Sequence, residues 1–227
     1  MPVFSTDFDS DTLETSQGPV VMTFIGHGTL MFAFDSQVIH IDPVSRYADY
    51  STLPNADLIL ITHHHGDHLS PEAIGQIKKE NTVILCSEFC LDQVQGIAMK
   101  NGEAKTIGKI RIEAVPAYNL VHKRDNGEPF HPKGVGNGYV VTLGDKKIYV
   151  AGDTENLPEM ASLQDIDVAF LPMNLPYAMS PEMVAEAVSL FHPKIVYPYH
   201  MGDTDASQLV ALLKDMPGCD VRIRKLQ

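Results

Sequence analysis

The most informative segment of the chain is Asp57-Leu-Ile-Leu-Ile-Thr-His-His-His-Gly-Asp-His68. Its apolar run, residues 58–61, is typical of a β-strand that is buried on both faces. Thr62 is followed by four histidines and one aspartate within six positions. Histidines this close repel one another when protonated, whereas neutral imidazoles and a carboxylate are ligands that zinc prefers. The spacing therefore favours a metal site over a solvated histidine-rich loop.

The direction of successive side chains in this loop predicts how the ligands divide. His63 and His65 are two residues apart in an extended chain, so they point the same way. Asp67 and His68 follow Gly66, which lets the chain turn back toward a second ion beside the first. His64 would face away, and we interpret it as a histidine outside the ligand set.

Two more strand ends carry metal-ligand residue types. Asp153 follows the apolar strand of residues 147–150 and a turn of small residues, and His200 follows the strand of residues 195–197. Taken singly, Asp153 is equally typical of a turn-capping aspartate. The order His-x-His-x-Asp-His, then Asp, then His, each group after a strand, makes metal binding the better interpretation.

The surrounding pattern predicts many short strands and two capped helices. Gly144–Asp145 marks a hairpin turn, and the helix starts Ser70-Pro71-Glu72 and Ser180-Pro181-Glu182 repeat one capping phrase. Because each phrase follows an apolar strand and a polar loop, we expect two similar halves packed sheet against sheet. The predicted strands are residues 20–24, 30–34, 37–41, 58–61, 82–85, 110–115, 139–143, 147–150, 168–171 and 195–197.

The motifs together resemble the metallo-β-lactamase superfamily over nearly the whole chain from Val20 onward. The resemblance implies an αββα sandwich of the α+β class, in which two packed mixed β-sheets are flanked by helices, as a single domain over residues 1–227. The motifs that carry it are Gly26-His27-Gly28, Ile41-Asp42-Pro43, residues 62–68, Ala151-Gly152-Asp153-Thr154 and His200.

The resemblance also implies two divalent metal ions, most readily Zn²⁺, with Mn²⁺ or Fe as alternatives. In this assignment His63 and His65 bind the first ion. The second ion takes Asp67, His68 and His200, and Asp153 bridges both.

One position departs from the family pattern. The family supplies a third histidine to the first metal a few residues after a strand-end proline, but here Pro116 is followed by Asn119. His122 and His131 lie in the same long loop, and water is a further alternative. We favour His131, because Phe130-His-Pro-Lys-Gly134 resembles this branch of the family. If His131 is not a ligand, its loop is better interpreted as a substrate lid with Lys133 facing an anionic group.

The implied activity is hydrolysis of a small ester, lactone or phosphodiester by a metal-bound hydroxide, with Asp67 as the catalytic proton acceptor. Within the superfamily the chain is most similar to small metal-dependent hydrolases related to the lactonase that acts on ascorbate 6-phosphate. More distantly, it resembles the phospholipase D that cleaves N-acylethanolamine phospholipids. Predicted substrate-binding residues are His27, Tyr118, Asn119 and Lys133.

Two other function classes are compatible with the fold. One is a metal-binding or sensor protein without turnover, which an assay with activated esters would distinguish. The other is a di-iron redox protein, as in the flavodiiron branch. That branch has glutamate where this chain has His65, and no flavin domain follows.

Composition narrows the partners and the compartment. The net charge of −12 leaves no basic face for nucleic acid, although two divalent ions would favour a small anionic substrate. No apolar run is long enough to span a membrane and no signal-peptide pattern is present, so we expect a cytoplasmic protein. We expect Cys86, Cys90 and Cys219 to be reduced and residues 1–17 to be loosely held. Self-association as a homo-oligomer stays open.

Overall fold

A computed structural model describes residues 8–226, and two seven-stranded sheets form its centre. The first sheet contains β1–β7 in sequence order: Asp9–Leu13, Val20–Gly26, Thr29–Phe34, Gln37–Ile41, Ala56–Ile61, Lys78–Cys86 and Ile97–Ala98. The second contains β8–β14, also in sequence order: Ala104–Ile107, Ile110–Ala117, Gly136–Leu143, Lys146–Val150, Val168–Pro172, Ile195–Tyr199 and Asp220–Val221.

The two sheets share one topology. In each sheet the first four strands pair antiparallel and the last three pairings are parallel. Helix α1 (Pro71–Ile77) follows the fifth strand of the first sheet, and α2 (Pro181–Phe191) follows the fifth strand of the second. A third helix, α3 (Ser207–Leu213), precedes β14. The predicted similarity of the two halves is confirmed.

Both helix starts form as their capping phrase predicts. The Ser70 hydroxyl accepts the backbone N–H of Ala73, and the Ser180 hydroxyl accepts that of Met183. A proline occupies the first turn of each helix, where no backbone N–H donor is needed. Each helix therefore begins close after the loop that leaves a central strand.

Strand β5 shows how the pattern of buried residues builds the layers. Leu58 and Leu60 pack into the main core between the sheets, whereas Ile59 and Ile61 pack with Ile77 of α1 on the outer face. Aromatic rings join the sheets across the main core, with Phe24 6.1 Å from Phe170 between centroids. The αββα architecture is thereby confirmed. Since β5 is fixed from both faces, the loop after it begins at a rigid point.

All ten predicted strands form, and the four missed strands are short. Asp9–Leu13, Ile97–Ala98, Ala104–Ile107 and Asp220–Val221 each lie at or next to a sheet edge. Their residues are mostly polar or part-exposed, so the strand conformation depends on the partner strand. The hairpin at Gly144–Asp145 forms as predicted, with Gly144 at φ 61°.

The prediction that residues 1–17 are loosely held is wrong for β1. This strand pairs along its length with β2, and the Arg224 guanidinium lies 2.6 Å from a carboxylate oxygen of Asp11. Residues 1–7 of the predicted loose segment lie outside the described residues.

Cys86 and Cys90 are buried free thiols, and Cys219 is a partly buried one. None of the helices in residues 8–226 has the length and apolar character that a membrane span requires.

Candidate metal centre

The predicted ligands meet at one edge of the sandwich, where strands of both sheets end. His63, His65, Asp67 and His68 follow β5, and Asp153 and His200 follow β11 and β13 of the other sheet. The two sheets are tied together here, because the backbone N–H of His200 donates to the carbonyl of His27 at 3.0 Å. Side chains that are far apart in sequence are therefore held by rigid strand ends.

The first cluster contains three histidines whose ligand atoms lie within 4.8 Å of one another: His63, His65 and His131. The ring centroids of His63 and His131 are 5.1 Å apart, and those of His65 and His131 are 5.0 Å apart. His122 does not belong to this cluster, and the side-chain oxygen of Asn119 lies 2.8 Å from His131 Nδ1. The structure thus brings His131 to the position for which the sequence left alternatives open.

The second cluster contains His27, Asp67, His68 and His200, again with ligand atoms within 4.8 Å. Asp67 Oδ2 lies 3.5 Å from His200 Nε2 and 3.9 Å from His68 Nε2. His27 Nε2 is 3.3 Å from the same oxygen. His27, which we predict to bind substrate, therefore lies directly beside the predicted ligands.

Asp153 lies between the two clusters. Its Oδ2 is 3.3 Å from His131 Nε2 and 3.4 Å from His200 Nε2, and its Oδ1 is 3.3 Å from His68 Nε2. These separations exceed the roughly 2.7–2.9 Å of a charge-assisted hydrogen bond. Two ligands each about 2.0–2.1 Å from one tetrahedral ion are about 3.3–3.4 Å apart. The spacing around Asp153 thus matches atoms arranged to share an ion.

Unsatisfied nitrogen atoms provide an independent test of whether the residues suit a cation. His63 Nε2, His68 Nε2 and His200 Nε2 are buried without a hydrogen-bond partner, although buried polar atoms are nearly always paired. All three lie among the carboxylates of Asp67 and Asp153. Metal coordination would satisfy these nitrogens together, so the residues present fit a metal centre.

The protonation states favour the same interpretation. Burial lowers the pKa of His65 to about 4 and holds the pKa of His63 well below its usual value. These imidazoles are therefore neutral near pH 7 and keep a lone pair for a metal. Burial works against the ionised form of Asp153, but the positive potential of His200 and His68 outweighs it and holds its pKa well below the usual value. Neutral His63 and His65 beside the ionised Asp153 form a zinc-type ligand set. At His68, the carboxylates of Asp153 and Asp42 outweigh burial and raise the pKa well above its usual value.

Comparison with known proteins identifies the family. A sequence profile described as a beta-lactamase superfamily domain matches residues 21–200. The UPF0173 metal-dependent hydrolase of Thermococcus kodakarensis is 33% identical over 198 residues, which cover 80% of this chain and 84% of that protein. The chain belongs to the UPF0173 family of metal-dependent hydrolases within the metallo-β-lactamase superfamily.

Solved structures agree with this assignment. A protein from Parabacteroides distasonis, described as a metal-dependent hydrolase, is 49% identical with a TM-score of 0.92, over 97% of this chain and all of that chain. Igni18, a metallo hydrolase from Ignicoccus hospitalis, is 23% identical with a TM-score of 0.73, over 90% of this chain and 94% of that one. The second similarity concerns the fold alone.

A buried carboxylate orients His68, one of the predicted ligands of this UPF0173 chain. Asp42 is fully buried and accepts hydrogen bonds from the backbone N–H and the hydroxyl of Thr62, at 2.7 and 2.6 Å. Its Oδ2 also lies 2.8 Å from His68 Nδ1. With a carboxylate as acceptor, Nδ1 carries the proton and the Nε2 lone pair faces the second cluster. The sequence showed Asp42 only as part of a motif and gave it no role.

We expect Asp42→Asn to weaken zinc binding at the second cluster about 10- to 100-fold, because the partner that fixes His68 is impaired. Competition with a chromogenic chelator measures this affinity. Asp49→Asn is the matched control, since Asp49 caps the short helix Tyr50–Thr52 at the surface. Unchanged zinc affinity in a folded Asp42→Asn protein would refute the orienting role.

Asn119 has the corresponding role for the first cluster. Its side-chain oxygen lies 2.8 Å from His131 Nδ1 and accepts the His131 backbone N–H at 2.8 Å. Its Nδ2 donates to the Tyr177 carbonyl and to Glu155. Asn119 therefore orients the His131 ring through Nδ1, while Nε2 of the same ring faces Asp153. The position of Asn119 does not support its predicted contact with substrate.

Glu155 is a further positioning residue that the sequence did not reveal. Its carboxylate is fully buried and accepts the backbone N–H groups of Leu120, Val121 and His122 at 2.6–2.8 Å. His122 Nδ1 lies 2.6 Å from the same carboxylate. Burial alone would raise the pKa of Glu155, but these hydrogen bonds lower it. The carboxylate therefore fixes the start of the loop that carries His131, and no local motif signals such a role.

Two other residues predicted to contact substrate, Tyr118 and Lys133, lie away from the cavity over the clusters. A cavity of about 360 Å³ opens over both clusters, and neither Tyr118 nor Lys133 lines it. The Lys133 ammonium lies 2.9 Å from Glu159 and 4.7 Å from the centre of the Tyr118 ring. The Tyr118 hydroxyl also donates to Glu159. Both side chains thus contact Glu159 and lie outside the cavity lining.

His64 lies outside the three groups of converging ligand atoms. Its ring is 6.2 Å from the ring of Phe89, and its carbonyl accepts a hydrogen bond from Gln93. This position agrees with the predicted alternation of side chains after β5.

Proposed function

We propose that this chain is a binuclear, zinc-type hydrolase of a small ester, lactone or phosphodiester. The observation that carries the proposal is the pair of ligand clusters joined by Asp153, with unsatisfied imidazole nitrogens directed between them. Membership in a family of metal-dependent hydrolases supports it.

The first ion would be held by His63, His65 and His131. The second would be held by Asp67, His68 and His200, with Asp153 contacting both. Imidazole and carboxylate ligands suit zinc, and manganese or iron are alternatives with the same donors. Two bound divalent ions would lower the pKa of a water molecule held between them and polarise the substrate oxygen that the water attacks.

Asp67 is the residue best suited to handle the proton of the attacking water. Its side chain is 37% exposed and lines the cavity, whereas that of Asp153 is only 3% exposed. The neighbouring His200 and His27 rings outweigh its burial and keep the pKa of Asp67 far below the usual value. Asp67 Oδ2, which lies 3.3 Å from His27 Nε2, would orient the water and accept its proton.

The shape of the site suits a small molecule. The cavity of about 360 Å³ lies within the common range for ligand pockets and is walled by aromatic side chains, including Tyr47, Phe130 and Tyr177. These rings would exclude bulk water from the reacting bond while leaving one side open. A small organic ester fits these dimensions, whereas a polymer would have to enter by one end.

A hydrolysis screen tests the proposal. Zinc-loaded protein should hydrolyse at least one of a panel of activated aryl esters, lactones and bis(p-nitrophenyl) phosphate. Chelator-treated protein should lose this activity and regain it when zinc returns. If zinc-, manganese- and iron-loaded protein all leave the panel intact, the protein is a metal-binding protein without this activity.

A further inference from the structure

The chain has five arginines, and two of them line the cavity over the clusters. These are Arg46 and Arg124, and no lysine lines this cavity. The protein as a whole carries a net charge of −12. Two guanidinium groups therefore line the cavity over the clusters, although the net charge of the protein is negative.

The other three arginines pair with carboxylates. Arg111 lies 3.2 Å from Glu113, Arg222 lies 2.7 Å from Asp220, and Arg224 lies 2.6 Å from Asp11. Within residues 8–226, Arg46 and Arg124 have no carboxylate within 4.0 Å. The two arginines that face the cavity are thus the two whose charge this part of the protein leaves unmatched.

Arg124 is held in place without being neutralised. Its guanidinium lies 5.0 Å from the centre of the Phe130 ring and donates to the Phe130 carbonyl at 3.4 Å. The Phe130 ring in turn contacts Tyr177 edge to face at 5.1 Å. This wall adjoins His131 of the first cluster. A guanidinium stacked on an aromatic ring keeps its remaining N–H donors for a ligand.

Arg46 lines the same cavity beside the second cluster. It precedes Tyr47, whose ring stacks on His27 with centroids 5.4 Å apart. His27 is part of the second cluster. The cavity therefore has one arginine and one or more aromatic rings beside each cluster.

We propose that Arg46 and Arg124 bind an anionic group of the substrate, a carboxylate or a phosphate, that is separate from the ester bond that reacts. This inference rests on the proposed function and adds a substrate class to it. Planar guanidinium groups recognise both kinds of oxyanion through paired hydrogen bonds. The aromatic walls would cover the organic part that joins the anionic group to the reacting ester.

A matched set of p-nitrophenyl esters tests the proposal. The acyl parts are valerate, which is neutral, glutarate, which ends in a carboxylate, and 4-phosphonobutanoate, which ends in a phosphonate. Zinc-loaded wild-type protein should prefer at least one anionic ester over the valerate by about tenfold or more in kcat/KM. The double variant Arg46→Gln/Arg124→Gln should lose this preference through a rise in KM and should hydrolyse the valerate within about threefold of wild type.

The control is Arg111→Gln, which removes an arginine from the surface of β9 and should change neither the preference nor the rates. A second measurement does not depend on turnover. Calorimetry should detect glutaramate, the inert monoamide of glutarate, on the zinc-loaded wild type and not on the double variant, with pentanamide as the neutral control.

The outcomes separate this inference from the proposed function. A glutarate preference identifies a carboxylate, and a phosphonate preference identifies a phosphate. Equal hydrolysis of all three esters, or a preference that survives in the double variant, overturns the anion site while the hydrolase stands. If none of the three esters is hydrolysed, the wider hydrolysis screen decides the proposed function, and calorimetry alone decides whether the two arginines bind an anion.

Discussion

Asp67→Ala is expected to lower kcat/KM by at least about 10³-fold on any substrate that the zinc-loaded protein hydrolyses. The variant loses both a contact to the second cluster, where Asp67 Oδ2 lies 3.5 Å from His200 Nε2, and the proposed proton acceptor. Removal of a general base alone commonly costs about 10²- to 10⁴-fold. Steady-state kinetics with metal analysis of the same samples measure the effect.

The control for Asp67→Ala is His64→Ala in the same loop. His64 lies outside the converging ligand groups, so this variant should keep its metal and stay within a fewfold of wild-type kcat/KM. Circular dichroism checks that both variants are folded. Equal loss of activity in the two folded variants would contradict the assigned side-chain directions and the role of Asp67.

His131→Ala is expected to reduce bound zinc from two ions per chain to about one and to lower kcat/KM by at least about 100-fold. The first cluster would keep only His63 and His65, together with the Asp153 carboxylate. Loss of a partner that merely orients a ligand already costs about 10- to 100-fold in affinity or activity, and loss of the ligand itself should exceed that. Elemental analysis after dialysis against a zinc buffer gives the stoichiometry.

Two variants check the origin of that effect. His122→Ala should retain both ions, because the His122 ring lies on Glu155 and outside the clusters. Asn119→Ala should weaken the first site by about 10- to 100-fold without abolishing it, since Asn119 only orients His131. The assignment of His131 fails if His122→Ala loses the first ion and His131→Ala keeps it.

The sequence predicted the histidines and carboxylates that converge after the strand ends and missed the residues that orient them. Residues 63–68 form one local segment after β5, so their spacing alone indicates a metal site. Asp42 and Glu155 act through partners 20 to 36 positions away, and no local pattern records such partners. Asn119 and Lys133 show the converse. Their residue types suit substrate binding, but Asn119 forms a hydrogen bond with His131 and Lys133 forms one with Glu159 instead.

The same distinction holds for the fold. The ten predicted strands carry apolar runs that are buried in the structure, as in β5 and β12. The spacing of apolar residues along a sequence indicates which positions are buried, so these strands could be predicted. Strand β1 is polar and forms through pairing with β2 and the contact between Asp11 and Arg224. The role of Arg46 and Arg124 could not be predicted from the sequence. Only the folded structure shows that they line the cavity and that no carboxylate of residues 8–226 lies close to them.

Anomalous diffraction at the zinc absorption edge, from crystals of the zinc-loaded protein, tests the central claim most directly. We expect two peaks about 3.5–4 Å apart. One should lie about 2.0–2.1 Å from nitrogens of His63, His65 and His131, and the other at that distance from nitrogens of His68 and His200, with Asp153 touching both. A single peak, or none among these residues, would contradict a binuclear centre.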